Sequence, residues 1–240
     1  MEGIVKDFQN LVERSLTVQI GDEIYSTQKL HKVVNDLKPQ TLEVETLTGF
    51  ADYINSNVDK NSKDRLFIVV ESHVEVSLYE NLDRESMSRK KYITAALKHG
   101  SNIQFCQYYS NEDFLIKLKS MFVSTPDREF LLRFASKMSV DESIKTNDDG
   151  VSQSVAVNKG VSGAIKEMEV APSIVTLAPY RTFREIAQPQ SDFLFRVKAE
   201  RGGLPSCALF ESDGGIWKLQ AMKDIADWMR KHVEGVTILS

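Results

Sequence analysis

The sequence predicts an α+β fold, with mixed or antiparallel sheets, about five helices and a long C-terminal helix. Three observations point there. About ten short segments of alternating or continuous apolar residues read as strands. Helical stripes interrupt them without the regular strand–helix–strand rhythm of a doubly wound sheet. The last stretch, from Asp213 to Gly235, carries one long amphipathic pattern with a turn signal at each end.

Ile4, Phe8, Leu11 and Val12 fall at i, i+4, i+7 and i+8 and predict a short first helix. Leu16, Val18 and Ile20 then alternate with polar residues, and Gly21-Asp22 turns the chain into Ile24 to Lys29 as a hairpin. Leu42 and Val44 mark a short strand, after which Thr46 caps a helix burying Leu47, Phe50, Ala51 and Ile54. Leu66 to Val70 is a continuous apolar run expected to be covered on both faces. Val74, Val76 and Leu78 alternate with His73, Glu75 and Ser77, as expected of a strand with one wet face.

Further strands are expected at Tyr92 to Leu97 and Ile103 to Tyr108. Ser110 with Asp113 starts a helix with the stripe Phe114, Leu115, Leu118 and Phe122. Thr125-Pro126-Asp127 starts another that buries Phe130, Leu131, Phe134 and Met138. The composition shifts between Asp141 and Gly163, which suggests an N-terminal α+β part over 1–140 and a C-terminal α+β part over 141–240, or one continuous domain. A hairpin near 146–160 belongs to the second part. Strands follow at Ser173 to Leu177, Phe193 to Ala199 and Ser206 to Phe210. In the last helix Asp213 is the expected cap, and Leu219, Met222, Ala226, Met229 and Val233 form the expected buried side.

The chain has 240 residues, a formal net charge of −4 and 42% hydrophobic content, which suits a globular protein that builds its own core. Two distant cysteines, Cys106 and Cys207, make neither a disulfide framework nor a metal motif. No run approaches the roughly 18 apolar residues of a membrane span, and the acidic start does not read as a secretory signal, so a cytoplasmic setting without membrane contact is expected. The mild acidity disfavours a surface coated for phosphate binding.

No complete catalytic or cofactor motif is present. The four histidines are scattered, and His73-Val74-Glu75 lacks the paired cysteines of a zinc deaminase; both polar side chains read as part of a solvated strand face. The two Ser-x-x-Lys tetrads at Ser26 and Ser88 lack the accompanying elements of penicillin-recognising enzymes. Asp148-Asp149 reads as a turn, and Asp192, Lys198 and Glu200 read as a charged strand face. Two basic-aromatic features stand out. Arg89, Lys90 and Lys91 precede Tyr92, and Tyr180, Arg181, Phe183 and Arg184 fall within five residues. Arginine with aromatic rings can stack bases or anchor a protein interface; it can equally tie a loop to carboxylates and pack its rings into a core. No metal ligand or cofactor is assigned.

Three blocks carry a family resemblance: Asn147 to Val155; Thr176 to Ile186, with Gln188-Pro189 after it; and Cys207 to Leu219. In order and spacing they resemble the C-terminal half of the YfdQ-like family of uncharacterised bacteriophage and prophage proteins. Glu71 to Val76 and the strands around it match the N-terminal half more loosely. The resemblance implies a phage gene product in a bacterial cytoplasm and transfers no activity, cofactor or catalytic residue.

Together these observations lead to the expectation of a non-enzymatic accessory protein that acts, as a homo-oligomer, by binding a host protein such as a defence or metabolic enzyme. The alternatives are a nucleic-acid-binding factor in phage replication or recombination, and a nucleotide-binding or hydrolysing enzyme with a scattered site.

Overall fold

The computed structural model describes residues 17–26, 39–84, 86–98, 103–138, 143–148, 153–158, 168–198 and 205–240; for 17–19, 23–26, 143–148, 153–158 and 168–171 it describes the backbone alone. The expected first helix lies outside the described residues, as do residues 27–29 of the expected hairpin and Glu200. Residues 1–38 and 39–240 form separate compact units. In the first, β1 (Thr17–Ile20) and β2 (Glu23–Ser26) make the expected antiparallel hairpin, with Gly21 at φ 66° in the turn.

Among the described residues the second unit holds three sheets. In the five-stranded sheet, β3 (Leu42–Val44), β4 (Leu66–Ser72), β5 (Glu75–Glu80), β6 (Lys91–Ala96) and β14 (Thr237–Leu239) are ordered β14-β4-β5-β6-β3. Its centre is an antiparallel meander, and both edge strands are parallel to their neighbours. Helices α1 (Leu47–Ser56) and α4 (Trp217–His232) cover one face. Leu66, Ile68 and Val70 of β4, Val76 and Leu78 of β5 and Ile93 and Ala95 of β6 pack there against Leu47, Phe50, Ile54, Ile225 and Met229. Each large apolar side chain so buried contributes about 1.5–3 kcal/mol. By alternation, Phe67, Val69, Glu71, Ser77, Tyr79, Thr237 and Leu239 belong to the other face.

The four-stranded sheet has the order β11 (Ile174–Leu177), β12 (Ser191–Lys198), β13 (Ser206–Glu211), β7 (Tyr108–Ser110), all antiparallel. It packs Phe193, Phe195, Val197 and Leu209 against α2 (Asn111–Met121) and α3 (Pro126–Ser136), which bring in Phe114, Leu118, Leu131 and Phe134. The third sheet, β10 (Met168–Ala171), β9 (Gln153–Asn158) and β8 (Ser143–Asp148), contains the hairpin expected near 146–160.

The α+β class stands. Among the described residues there are fourteen strands and four α-helices, and α4 is the longest helix. The boundary expected at 140/141 does not divide the sheets: β14 joins strands from 42–96, and β7 joins strands from 174–211.

The helix starts follow the sequence closely. The side chains of Thr46, Ser110 and Thr125 accept hydrogen bonds from the backbone N–H groups of Gly49, Asp113 and Arg128. Other expectations need correction. Residues 103–107 are not a strand, because Tyr109 Oη accepts from Gln104 N and donates to Gln104 O while Cys106 sits at φ 64°, which curls the segment. Of the expected buried side of α4, Ala226, Met229 and Val233 are buried but Leu219 is 68% exposed; Trp217, Ala221 and Ile225 complete the buried stripe. Asp213 Oδ1 accepts from Gly215 N, closing the turn before α4 rather than capping its first helical residues. The two central strands also exchange roles. Phe67 and Val69 of β4 are only half-buried, while Ser77 of β5 is fully buried against Thr94, their hydroxyls 3.1 Å apart.

Candidate functional site

The two basic-aromatic clusters have different fates. The block after β11 is a strap between the two cores. Tyr180 N donates to Met121 O and Val123 N to Ala178 O, which fixes the start of the strap to the end of α2. Phe183 and Ile186 then enter the core of the five-stranded sheet, and the Glu185 carboxylate accepts from Thr48 N at the start of α1. Gln188 fastens the loop from inside: Oε1 accepts from the N–H of Arg181 and Thr182, and Nε2 donates to Phe183 O. Phe183, expected to face a partner, is fully buried and has no surface to offer one.

Arg181 is also turned inward. Its Nη1 binds Glu211, its Nη2 binds Ser191, and its Cζ lies 3.7 Å from the centre of the Trp217 ring. His73, in the β4–β5 turn and not on a wet strand face, meets the same indole edge-on at 4.7 Å, and Thr182 Oγ1 donates to His73 O at 2.5 Å. Burial pulls the Arg181 guanidinium below its ordinary value, partly offset by Glu211 and Asp213. Burial likewise lowers His73, helped by the positive charges of Lys218 and Arg181. Burial pushes the Asp213 carboxyl up, but the Ser191 hydroxyl, the Gly215 N–H and Arg181 outweigh it and hold it below the usual carboxylate range. This cluster joins the two sheets. Tyr180 and Arg184 remain accessible beside it, the Arg184 Cζ 3.8 Å from the Tyr180 ring centre.

The second cluster reaches the open face of the five-stranded sheet. Phe67 and Tyr79, directly opposite each other on β4 and β5, stack at 5.7 Å between ring centres. Arg89 Cζ stands 5.5 Å from the Phe67 ring, and Lys91 Nζ stands 5.3 Å from the Tyr79 ring. Tyr79 Oη donates to Glu71 at 2.8 Å, and Lys91 Nζ pairs with Glu71 at 3.1 Å and Glu75 at 3.7 Å. Burial pulls Lys91 down, but Glu71 and Tyr79 outweigh it and raise its affinity for the proton. Lys90 and Arg65 share Glu80 at the end of β5. Phe67, Val69, Glu71, Tyr79, Arg89 and Leu239 line a groove of about 820 Å³.

The sequence signalled the cations of this groove but not its floor. Phe67 and Val69 sat within an apolar run read as buried on both sides. What separates them from Leu66, Ile68 and Val70 is that, among the described residues, the helices pack on the face of those three. The Arg181–Glu211–Trp217 grouping had no sequence signal, since its members come from three elements.

Comparison with protein-family models, curated proteins and solved structures finds no match to this chain. The resemblance to the YfdQ-like family therefore rests on its residue blocks alone. Among the described residues no group of three or more histidine, cysteine, aspartate or glutamate side chains could hold a metal ion, and no helix is long and apolar enough to cross a membrane.

Proposed function

We propose that the protein acts by binding a partner protein on the open face of its five-stranded sheet, with Phe67, Tyr79, Arg89 and Lys91 at the centre of contact. The observation that carries this is the stacked Phe67–Tyr79 pair with a cation over each ring, beside a groove floored by Val69 and Leu239. Aromatic and arginine side chains around a concave apolar floor are the composition of interface hot spots. The loop whose ends, Asn81 and Arg89, line the groove also carries Met87, 72% exposed and at φ 50°, an adaptable apolar side chain on a strained turn.

The balance of charge favours a protein over a nucleic acid. Arg65, Arg89, Lys90 and Lys91 are matched by Asp64, Glu71, Glu75 and Glu80, and three of the four cations already pair with carboxylates. A surface so balanced gains little from releasing the counterions of a phosphate backbone, whereas it suits a protein surface of mixed charge.

The phage resemblance supports a bacterial host protein met in the cytoplasm as the partner, and the proposal takes the chain to act as a homo-oligomeric accessory protein without catalytic turnover. The test compares wild type with Phe67→Ala and Arg89→Glu in capturing one host protein from bacterial lysate, followed by binding of that protein in purified form. Loss of binding by at least about tenfold in both variants, with unchanged melting, supports the proposal. Undiminished binding in both overturns it. Steeply salt-dependent binding of a single-stranded oligonucleotide, lost in the same variants, would replace it with the nucleic-acid alternative.

A further inference from the structure

A second concavity, about 400 Å³, opens beside the strap and away from the sheet groove. Val123, Ala178 and Ile186 give it apolar walls, and Tyr180, Arg184 and Gln190 stand around it. Three polar ends here have no polar partner among the described residues. The Arg184 guanidinium has no carboxylate partner among the described residues; its contact is with the Tyr180 ring, at 3.8 Å. That contact occupies one face of the guanidinium and leaves its N–H edge without an acceptor among the described residues. The Tyr180 hydroxyl and the Gln190 amide likewise make no hydrogen bond to the described residues.

The contrast with Gln188 is informative. Its amide lines the same concavity but is consumed by the loop it fastens, accepting from two backbone N–H groups and donating to Phe183 O. Glu129, on the first turn of α3, is likewise engaged, by the Ser124 hydroxyl and Arg128. The nearby carboxylate on the strap, Glu185, binds Thr48. Among the described residues these carboxylates are thus committed elsewhere, and the Arg184 charge is available.

We propose that this pocket binds a small organic oxyanion with a flat aromatic body. The oxyanion takes the N–H edge of Arg184, the ring lies against Tyr180 and the apolar wall, and Gln190 offers a donor or acceptor to the ring's polar edge. A volume of about 400 Å³ falls within the roughly 300–1,000 Å³ of small-ligand sites and suits one mononucleotide or one aromatic acid. The site is independent of the protein-docking face: the two share no lining residue.

Calorimetric titration of the full chain with AMP, 4-hydroxybenzoate, adenosine and inorganic phosphate tests this. Binding of AMP or 4-hydroxybenzoate at or below about 1 mM, with adenosine and phosphate each at least about tenfold weaker, is expected, and which of the two binds identifies the ligand source. Arg184→Ala should weaken that binding about tenfold or more, Arg184→Lys should restore part of it, and Lys231→Ala should leave it unchanged. Arg184 is exposed, so a melting curve like that of wild type keeps the comparison valid. Failure of both aromatic anions to bind, binding undiminished in Arg184→Ala, or phosphate binding as tightly as either overturns the proposal.

Discussion

Arg181 stacks on Trp217 at 3.7 Å while its terminal nitrogens bind Glu211 and Ser191, so one guanidinium ties the strap to β12, β13 and the start of α4. Its Nε and the Trp217 Nε1 are buried without a partner, a cost the rest of the contact offsets.

Removing that guanidinium leaves Glu211 facing a vacated, largely buried site. Arg181→Ala should cost about 3 kcal/mol of unfolding free energy, as expected when one partner of a buried ion pair is lost. Arg181→Lys should recover only part, because an ammonium cannot bond Glu211 and Ser191 as a fork while lying on the indole. Urea unfolding followed by tryptophan fluorescence reads both. A cost below about 0.5 kcal/mol would show that the strap holds without this residue.

His73 gives the junction a pH dependence. Its folded-state affinity for the proton is lowered, chiefly by burial and then by Lys218 and Arg181, so the unfolded chain binds the proton more readily. The contribution is complete above the unfolded value of about 6.5 and is lost as pH falls through the lower folded value. Stability measured between about pH 7 and 5 should fall with acid, and His73→Gln should flatten that slope. An unchanged slope in the variant would assign the effect to other groups.

The two thiols should differ in reactivity. Cys106 is exposed, whereas Cys207 is fully buried in the second core and burial pushes its thiol up to about 12. At pH 8 an alkylating reagent should modify Cys106 in the folded protein and reach Cys207 only after denaturation. Equal labelling of both would contradict the packing of β13.

Ser77 and Thr94 form a buried hydroxyl pair in the middle of the five-stranded sheet. Thr94→Val should cost about 1–2 kcal/mol by leaving a buried hydroxyl poorly satisfied, and adding Ser77→Ala should recover much of it. A double-mutant cycle in urea gives the coupling; additive single effects would mean that the hydroxyls do not act as a pair.

What could be read from the sequence was what local chemistry decides. Thr46, Ser110 and Thr125 start helices because a hydroxyl beside free backbone N–H groups is a local solution, and Phe114, Leu118 and Phe134 are buried wherever an amphipathic helix is packed. What could not be read depended on which elements become neighbours. Leu219 and Trp217 are two residues apart on α4, and only the position of the sheet decides which of them is covered. Phe67 lies in an apolar run like any central strand, yet the helices sit on the opposite face. The aromatic block at 180–184 was visible as chemistry, but whether each side chain turned inward or outward was set by Glu211, Ser191 and Trp217, residues from other elements. Phe183 and Arg181 turned in; Tyr180 and Arg184 stayed accessible.

The most direct test of the sheet face as the working surface places a photo-crosslinking amino acid at Leu239, 49% exposed in the groove, and separately at Lys231, exposed on α4 on the helix-covered side. Each variant is irradiated in bacterial cells, and its adducts are identified by mass. One discrete protein adduct from position 239, absent at 231 and lost when Phe67→Ala is added, is the expected result. Adducts at 231 alone, or equal adducts at both positions, would contradict it.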